Sequence, residues 1–489
     1  MSVTFGMDEP RATPHIVVVG GGLAGIAAAL GCADAGAKVT LFEKRARLGG
    51  LTWSFYHDGL NMDNGQHVFL RCCTAYLAFL HRIGSASDVE LQDRLDVTVL
   101  RPGGGTLGRG VLGRGVLGRA GAGPTRSVLR RDQLRAPLHL ARSLLGYSLV
   151  PAAQRARLGI AAWALAHLDL DDPKLDDETF ADWLARHGQG QAAIDGLWDL
   201  ICLPTVNLPA AQASLAMAAK VFQTGLLTDN AAGDIGWSRV PLGRLHGERG
   251  AAALQRAGVR VHLAEAVLKV DGRAPGEANG DRRDRFVVRT PGGDLGADAV
   301  VIALPHYCVE DLLPAGSLPP HVRPSRLASS PIVNVHVHFD RHVTDLPLVA
   351  GLDSTAQWVF DRTSSAGATR GQYLAVSISA ADRYIGRRPA ELGDQVVAAL
   401  GDLFPAARQA GVLGTFVTRE HNATFRACPG SATHRASPRT LLPGLVLAGT
   451  WTSTGWPPTM EGAVRSGVAA ARTALVATGR RDALPQVAA

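Results

Sequence analysis

The chain has 489 residues, of which 46% are apolar and 19% charged, with a formal net charge of +7. This length exceeds what one simple core supports, so two or more structural units around a large buried interior are expected. No uninterrupted apolar run reaches the roughly 18 residues of a membrane-crossing helix, and the opening MSVTFGMDEPRATPH carries acids and no apolar core, unlike a secretory signal.

Residues 1 to about 13 read as a disordered lead-in. His15-Ile-Val-Val-Val-Gly20 predicts a short parallel strand, since four apolar residues in a row suit burial on both faces. Gly20, Gly22 and Gly25 follow in GxGxxG spacing. Ile26 to Ala35 is alanine-rich and predicts a helix. Lys38-Val-Thr-Leu-Phe42 predicts a second strand, ending at Glu43. Each part has a chemical reason. Gly20 makes the tight turn, Gly22 lets the backbone approach a pyrophosphate, and Gly25 lets the helix pack on the strand. The helix N-terminus offers free N–H groups to the anion. A carboxylate at Glu43 accepts hydrogen bonds from both ribose hydroxyls.

The next run, Glu43-Lys-Arg-Ala-Arg47-Leu-Gly49-Gly50, separates NAD from FAD. It resembles the E-x-x-x-R-x-G-G element of the FAD-dependent amine oxidase and phytoene desaturase superfamily, which NAD dehydrogenases lack. The resemblance implies FAD as cofactor, with Glu43, Lys44, Arg47, Gly49, Gly50 and Leu51 around it. A guanidinium pairs with phosphate oxygens, and paired glycines let the chain pass close by.

Further along stands Asp63-Asn-Gly-Gln-His67-Val-Phe-Leu-Arg-Cys-Cys-Thr-Ala-Tyr76. The LGRGV repeat from Leu107 to Arg119 is too brief for a solenoid. Arginine with glycine suggests RNA contact, but no aromatic residues interleave. A glycine-rich surface loop is the better reading, and no nucleic-acid partner is expected. Across 133–168, Leu134, Leu138, Ala141, Leu145 and Leu149 fall at helical spacing. Arg126, Arg130, Arg131, Arg135, Arg142, Arg155 and Arg157 surround them. The favoured reading is a surface helix with a solvated charged face. The alternative is a basic amphipathic segment on an anionic membrane.

Val259 to Val270 alternates like one strand, a charged loop follows from Asp271 to Arg285, and Phe286–Thr290 and Ala297–Pro305 continue the pattern. In the superfamily this trio belongs to the FAD domain, and the position matching Val267 contacts the adenine. Leu445-Val-Leu-Ala448 is a last strand before Gly449. By resemblance the tail then closes on the flavin. Thr450 stands where relatives often carry a ribitol-binding aspartate. Met460, Glu461 and Ala463 open a helix whose N–H groups face the flavin edge that gains negative charge on reduction. Glu461 reads as a structural acid at that N-terminus. Trp451 and Trp456 either wall the flavin pocket or are ordinary aromatic core.

GGLAG, RLGG, NGQHVFLRCCTAY, APLHL, VPLGRLHG at 240–247 and TGWPPTMEGAVRSG together resemble the hydroxysqualene dehydroxylases, or squalene-associated FAD-dependent desaturases, over nearly the whole chain. This implies an α/β fold: a discontinuous Rossmann-like FAD-binding domain of residues 1–75, 236–310 and 425–489, and an α+β substrate-binding domain of 76–235 and 311–424. It implies reductive removal of the hydroxyl of hydroxysqualene to give squalene, in hopanoid or related triterpene synthesis. The substrate is then a long apolar isoprenoid. His67 is the candidate catalytic residue, its loop running near the flavin and its ordinary pKa suiting proton transfer. Two alternatives stand beside this. One is a carotenoid/phytoene-type desaturase, or another FAD-dependent amine-oxidase-like enzyme. The other is a non-catalytic FAD-containing lipid-binding protein.

No second GxGxxG follows a strand, so no nicotinamide domain is indicated and the electron donor is unassigned. Cys32, Cys72, Cys73, Cys202, Cys308 and Cys428 form no CxxC pair. Packed thiols are expected, with no metal site. The compartment is the reducing cytoplasm, with peripheral contact on the inner face of the cell membrane as the alternative for the basic segment.

Overall fold

The computed structural model describes residues 13–103, 123–272 and 285–480. The lead-in, the LGRGV repeat and most of the charged spacer lie outside the described residues. Five parallel strands form a central sheet in the order Arg260–Leu263, Lys38–Glu43, His15–Val19, Ala299–Ile302 and Leu445–Leu447. Their side chains alternate between two cores. Val17, Val19, Val300, Ile302, Leu445 and Leu447 face one. Ile16, Val18, Leu41, Val301 and Val446 face the other, with the helices Leu23–Asp34 and Met460–Ala477. Burial on both sides explains why residues 16–19, Ala299–Ile302 and Leu445–Leu447 are apolar throughout, whereas the edge strand Arg260–Leu263 is not.

The first and last helices pack directly on each other. A β-carbon on Gly467 would sit 2.2 Å from the Ala24 carbonyl oxygen, so glycine is required at that crossing. Distant ends of the chain thereby cover one face of the same sheet.

A second, seven-stranded sheet runs Val412–Phe425, Ser329–Phe339, Gln372–Ile378, Trp358–Asp361, Leu348–Gly351, Asp96–Arg101, Thr125–Arg130. The helix Pro389–Leu403 covers Val333, Val335, Val337 and Ile378 on one face. Val97, Val99, Leu129 and Leu348 pack into the core shared with the helices between 141 and 222.

Two expected elements differ. Val259–Val270 is not one strand. Arg260–Leu263 joins the parallel sheet, Ala264 turns with φ 56°, and Lys269–Gly272 begins a separate antiparallel sheet with Phe286–Thr290 and Gly293–Ala297. The amides of Ala264 and Glu265 donate to the carbonyls of Arg45 and Glu43, which draws the chain off its strand direction. Nor is 133–168 one helix. A 3₁₀ turn at Leu138–Leu140 leads into Ala141–Gly146, and a second helix runs Ala152–Ala166. Between them Tyr147, Leu149 and Val150 are buried, and the Tyr147 hydroxyl donates to the Gly196 carbonyl. Core packing there overrides the helical spacing.

Candidate active site

The nucleotide end lies at the C-terminal edge of the first two strands. Gly20 turns with φ 105°, and a β-carbon there would lie 2.4 Å from the Ala303 carbonyl oxygen. On Gly25 it would lie 1.9 Å from the Gly20 oxygen. On Gly22, by contrast, it would meet nothing nearer than the Gly50 Cα at 3.8 Å. A β-carbon on Gly50 would lie 2.9 Å from the Gly22 Cα, so the two backbones pass in direct contact. The Gly49 amide donates to Gly21 O at 2.9 Å, so the two glycine loops are bound to each other. The paired Gly22 and Gly50 backbones sit at the N-terminus of the Leu23–Asp34 helix, whose first amides are the kind that receive phosphate.

Glu43 is buried, and its carboxylate accepts the amides of Gly21 at 2.7 Å and Arg45 at 2.9 Å. Each oxygen keeps a lone pair for a ribose hydroxyl. The Ala264 and Glu265 amides bring the segment carrying Val267 beside it. Arg47 donates to Gly50 O at 3.1 Å and lies 4.3 Å from the centre of the Trp53 ring, and burial lowers its pKa. Lys44 is exposed and Leu51 is 37% exposed, so both sit at the rim of this cradle.

The tail folds over the other end. Gly449 has φ 135°, and a β-carbon would lie 2.7 Å from the Trp451 indole nitrogen, which donates to Leu304 O at 2.8 Å. Trp451 is therefore a buried anchor under the loop. Trp456 is half-buried, with Arg465 4.7 Å and Lys220 5.1 Å from its ring centre. Thr450 is half-buried beside Trp451. One residue gathers four carbonyls of this loop. Buried Arg435 donates to the carbonyls of Thr452 at 2.7 Å, Trp456 at 2.9 Å, Trp451 at 3.3 Å and Thr450 at 3.5 Å. Burial lowers its pKa to about 10. The sequence gives no sign of this role, because the arginine precedes the last strand and the loop follows it.

Thr459 caps the Met460–Ala477 helix by accepting the Gly462 amide, and the Ala463 amide bonds to Thr459 O inside the helix. The amides of Met460 and Glu461 form the open mouth of that first turn. The Glu461 side chain does not face a ligand. It is buried and accepts the amides of Tyr76 at 2.6 Å and Ala75 at 3.2 Å, and Arg465 Nε at 2.6 Å. Expected to act at the N-terminus of its own helix, this acid instead caps the helix Thr74–Ile83 from across the fold.

The Asn-Gly-Gln-His loop is fixed by its asparagine. Asn64 accepts Trp53 N at 3.1 Å, donates to Glu420 at 2.9 Å, and offers its carbonyl to Asn334 and Thr418. His67 lines a small cavity of about 10 Å³, the size of a single water, with Asp63, Gln66, Trp237, Phe360 and Arg362. Burial pushes its imidazole down to about 4. At neutral pH the ring is uncharged, so it offers a hydrogen bond rather than a spare proton. His246 stands on a single π-turn, Gly243–Glu248, with Nε2 2.7 Å from the Tyr76 hydroxyl. Burial, reinforced by His67, pushes it to about 3. This histidine lies inside the VPLGRLHG run, but its pairing with residue 76 requires the fold. Among the described residues His246 Nδ1, Gln66 Nε2, Asn334 Oδ1 and Trp53 Nε1 are buried with no partner. Buried polar atoms without partners mark where a ligand or ordered water belongs.

FAD fits these residues. The helix N-terminus at the paired glycine loops, beside Arg47, suits its diphosphate, and the unpartnered buried atoms of Trp53, Gln66, His246 and Asn334 suit its polar groups. The protein is an FAD-dependent oxidoreductase with a Rossmann-like cofactor fold. It belongs to the flavin containing amine oxidoreductase family, which matches residues 23–475. It is 26% identical to a hydroxysqualene dehydroxylase of Sinorhizobium fredii (strain NBRC 101917 / NGR234), over 95% of this chain and 99% of that one. It is 23% identical to the chloroplastic/chromoplastic zeta-carotene desaturase of Zea mays, over 92% of this chain and 82% of that one. Among solved structures, cyclohexylamine oxidase from Brevibacterium oxydans IH-35A superposes with a TM-score of 0.67 at 18% identity, over 96% of this chain and 99% of that one. At that identity the likeness is one of fold.

Proposed function

We propose that this enzyme removes the hydroxyl of hydroxysqualene reductively, giving squalene and water. The observation that carries the reading is the end-to-end match to hydroxysqualene dehydroxylases, which spans the His67 loop and the tail loop alike. Bound reduced FAD would supply the hydride and, in the overall balance, the proton with which the hydroxyl leaves as water. The remaining tasks fall to the chain. His67, neutral in its pocket, donates a hydrogen bond to the departing hydroxyl, and His246, held by Tyr76, stands behind it. A dry site keeps water from recapturing the allylic cation. The reading requires an apolar channel for the isoprenoid tail. In this reading residues 1–75, 236–310 and 425–489 bind FAD, and 76–235 with 311–424 bind substrate. The cofactor contacts are Gly20, Gly22, Gly25, Glu43, Arg47, Gly49, Gly50, Val267, Gly449, Thr450 and the Met460 and Glu461 amides. The test is anaerobic incubation of reduced holoenzyme with hydroxysqualene, with the product identified by mass spectrometry. Squalene is expected, and its absence under full flavin loading sinks the proposal.

A second reading draws on the zeta-carotene desaturase likeness. The same site would then take hydride from a polyene into oxidised FAD. Flavin reduction by zeta-carotene, without squalene formation from hydroxysqualene, would favour it.

A further inference from the structure

Large apolar side chains are exposed at scattered points over the molecule, but one stretch concentrates them. Leu134 is 53% exposed, Leu138 62%, Leu145 75%, Ile160 64% and Trp163 63%. All lie between residues 134 and 163, in the bend before the 3₁₀ turn and on the 3₁₀ turn, the Ala141–Gly146 helix and the Ala152–Ala166 helix, and the two helices are in contact. In the longer helix Leu158, Ala161 and Leu165 face the core. The opposite face, Ala153, Ala156, Ile160 and Trp163, is exposed and equally apolar. Their spacing puts those four on one side of the helix. A helix apolar on two opposite faces normally buries both, so this face lacks its partner.

The charge around it identifies that partner. From residue 133 to 168 there is no Asp or Glu, and there are four arginines, Arg135, Arg142, Arg155 and Arg157. Arg130 and Arg131 are engaged by Asp96 and Asp234, whereas those four form no ion pair among the described residues. Exposed leucine, isoleucine and tryptophan rimmed by unpaired arginine match a surface of anionic headgroups over hydrocarbon. Tryptophan in particular favours that boundary. The inner face of the same helix packs against the helix Leu215–Phe222, whose Lys220 lies over Trp456 of the tail loop. One helical layer therefore separates the exposed face from the loop that closes the cofactor site.

We infer that this face, with Leu138, Leu145, Ile160 and Trp163 inserted and the four arginines at headgroup level, docks the protein on an anionic lipid bilayer. The surface stands on its own observations. It deepens the function proposed above, because an isoprenoid dissolved in the bilayer would then be taken up where the enzyme sits.

The test is flotation of FAD-loaded protein with vesicles of phosphatidylcholine alone or mixed equally with phosphatidylglycerol. Wild type should float with the mixed vesicles, far less with phosphatidylcholine, and less as salt screens the arginines. The pair I160E and W163E should lower the bound fraction about tenfold or more. The pair R142E and R157E should abolish the preference for phosphatidylglycerol. Flavin absorbance and melting temperature serve as the folding control. If the first pair misfolds, W163F still decides: brominated lipid should quench wild-type fluorescence, and the quench should shrink in W163F while binding persists. Wild type that fails to float, or charge-reversed protein that floats equally, overturns the inference. So does an unchanged flotation combined with a dimer that the I160E and W163E pair dissociates, which would assign the face to a second copy of the chain. Turnover of detergent-dispersed hydroxysqualene by the same variants reads the proposed reaction separately from docking.

Discussion

Gly25 and Gly22 are neighbours in sequence with opposite surroundings, and substitution should separate their roles. A β-carbon on Gly25 collides with Gly20 O at 1.9 Å, while one on Gly22 makes only ordinary contact with Gly50 Cα at 3.8 Å. Gly25→Val should lose both FAD and stability, since backbone must shift. Gly22→Val should keep the melting temperature of the apoprotein and lose FAD, read as visible absorbance after gel filtration. His246 gives a pH prediction. Its ring is held neutral with a pKa of about 3, and His336 is held likewise at about 3 by burial, hydrogen-bonded to Tyr373. Both lie below the unfolded value of about 6.5. Their stabilising contribution is complete above pH 6.5 and declines as pH falls toward 3, because the unfolded chain takes protons the fold refuses. At pH 5 each should cost about 2 kcal/mol relative to neutral pH, measured by urea unfolding. His246→Asn should flatten that dependence by one group's share; an unchanged slope would refute the assignment. The glycine spacing was legible in sequence because a turn is a local matter. The His246–Tyr76 pair was not, because 170 positions separate its members.

Loops and helices here are held by single side chains that reach in from other elements. Arg435 gathers four carbonyls of the tail loop. Arg435→Ala strips those oxygens of their donor in a buried setting. It should cost about 3 kcal/mol or more and release FAD. Arg435→Lys, which keeps the charge but loses the fork, should recover part of the stability. Equal denaturation midpoints for wild type and Arg435→Ala would show that the loop holds itself. Glu461 acts on the Thr74–Ile83 helix in the same manner. Glu461→Gln removes the charge at that N-terminus and should cost about 1–2 kcal/mol, with the helix ends monitored by hydrogen exchange. At this scale the sequence misled twice. Val259–Val270 alternates correctly for a strand, yet Ala264 and Glu265 bond to the end of another strand and divide it. Residues 133–168 carry helical spacing, yet Tyr147, Leu149 and Val150 are drawn into the core and break the run.

The molecule as a whole is joined at a buried ion pair between remote parts of the chain. Asp63 and Arg362 lie 3.2 Å apart at 4% and 9% exposure. Asp63 also accepts Ser54 Oγ and Leu242 N, and Arg362 also donates to Ser238 O. Burial raises the Asp63 pKa above its ordinary value, with Arg362 opposing that rise. Arg362→Ala leaves a carboxylate buried without its cation and should cost about 3–5 kcal/mol. The double change Asp63→Asn with Arg362→Met should cost less than that single one, because no charge is stranded. Denaturant midpoints of the three variants check the order, and the reverse order would show that the pair is a net source of stability.

The sequence alone determined the nucleotide fold and its cofactor class. Strand, glycine turn, helix and Glu43 are contiguous, and each acts on its immediate neighbours. It also carried the family resemblance end to end. Tertiary structure alone decided which residues hold the site together and which face is left uncovered. Arg435, His246 and the Asp63–Arg362 pair act across separations that no local pattern records. The apolar face at Ile160 and Trp163 is exposed because the fold buries the opposite side of its helix, and an apolar residue carries no mark in sequence of which side that will be.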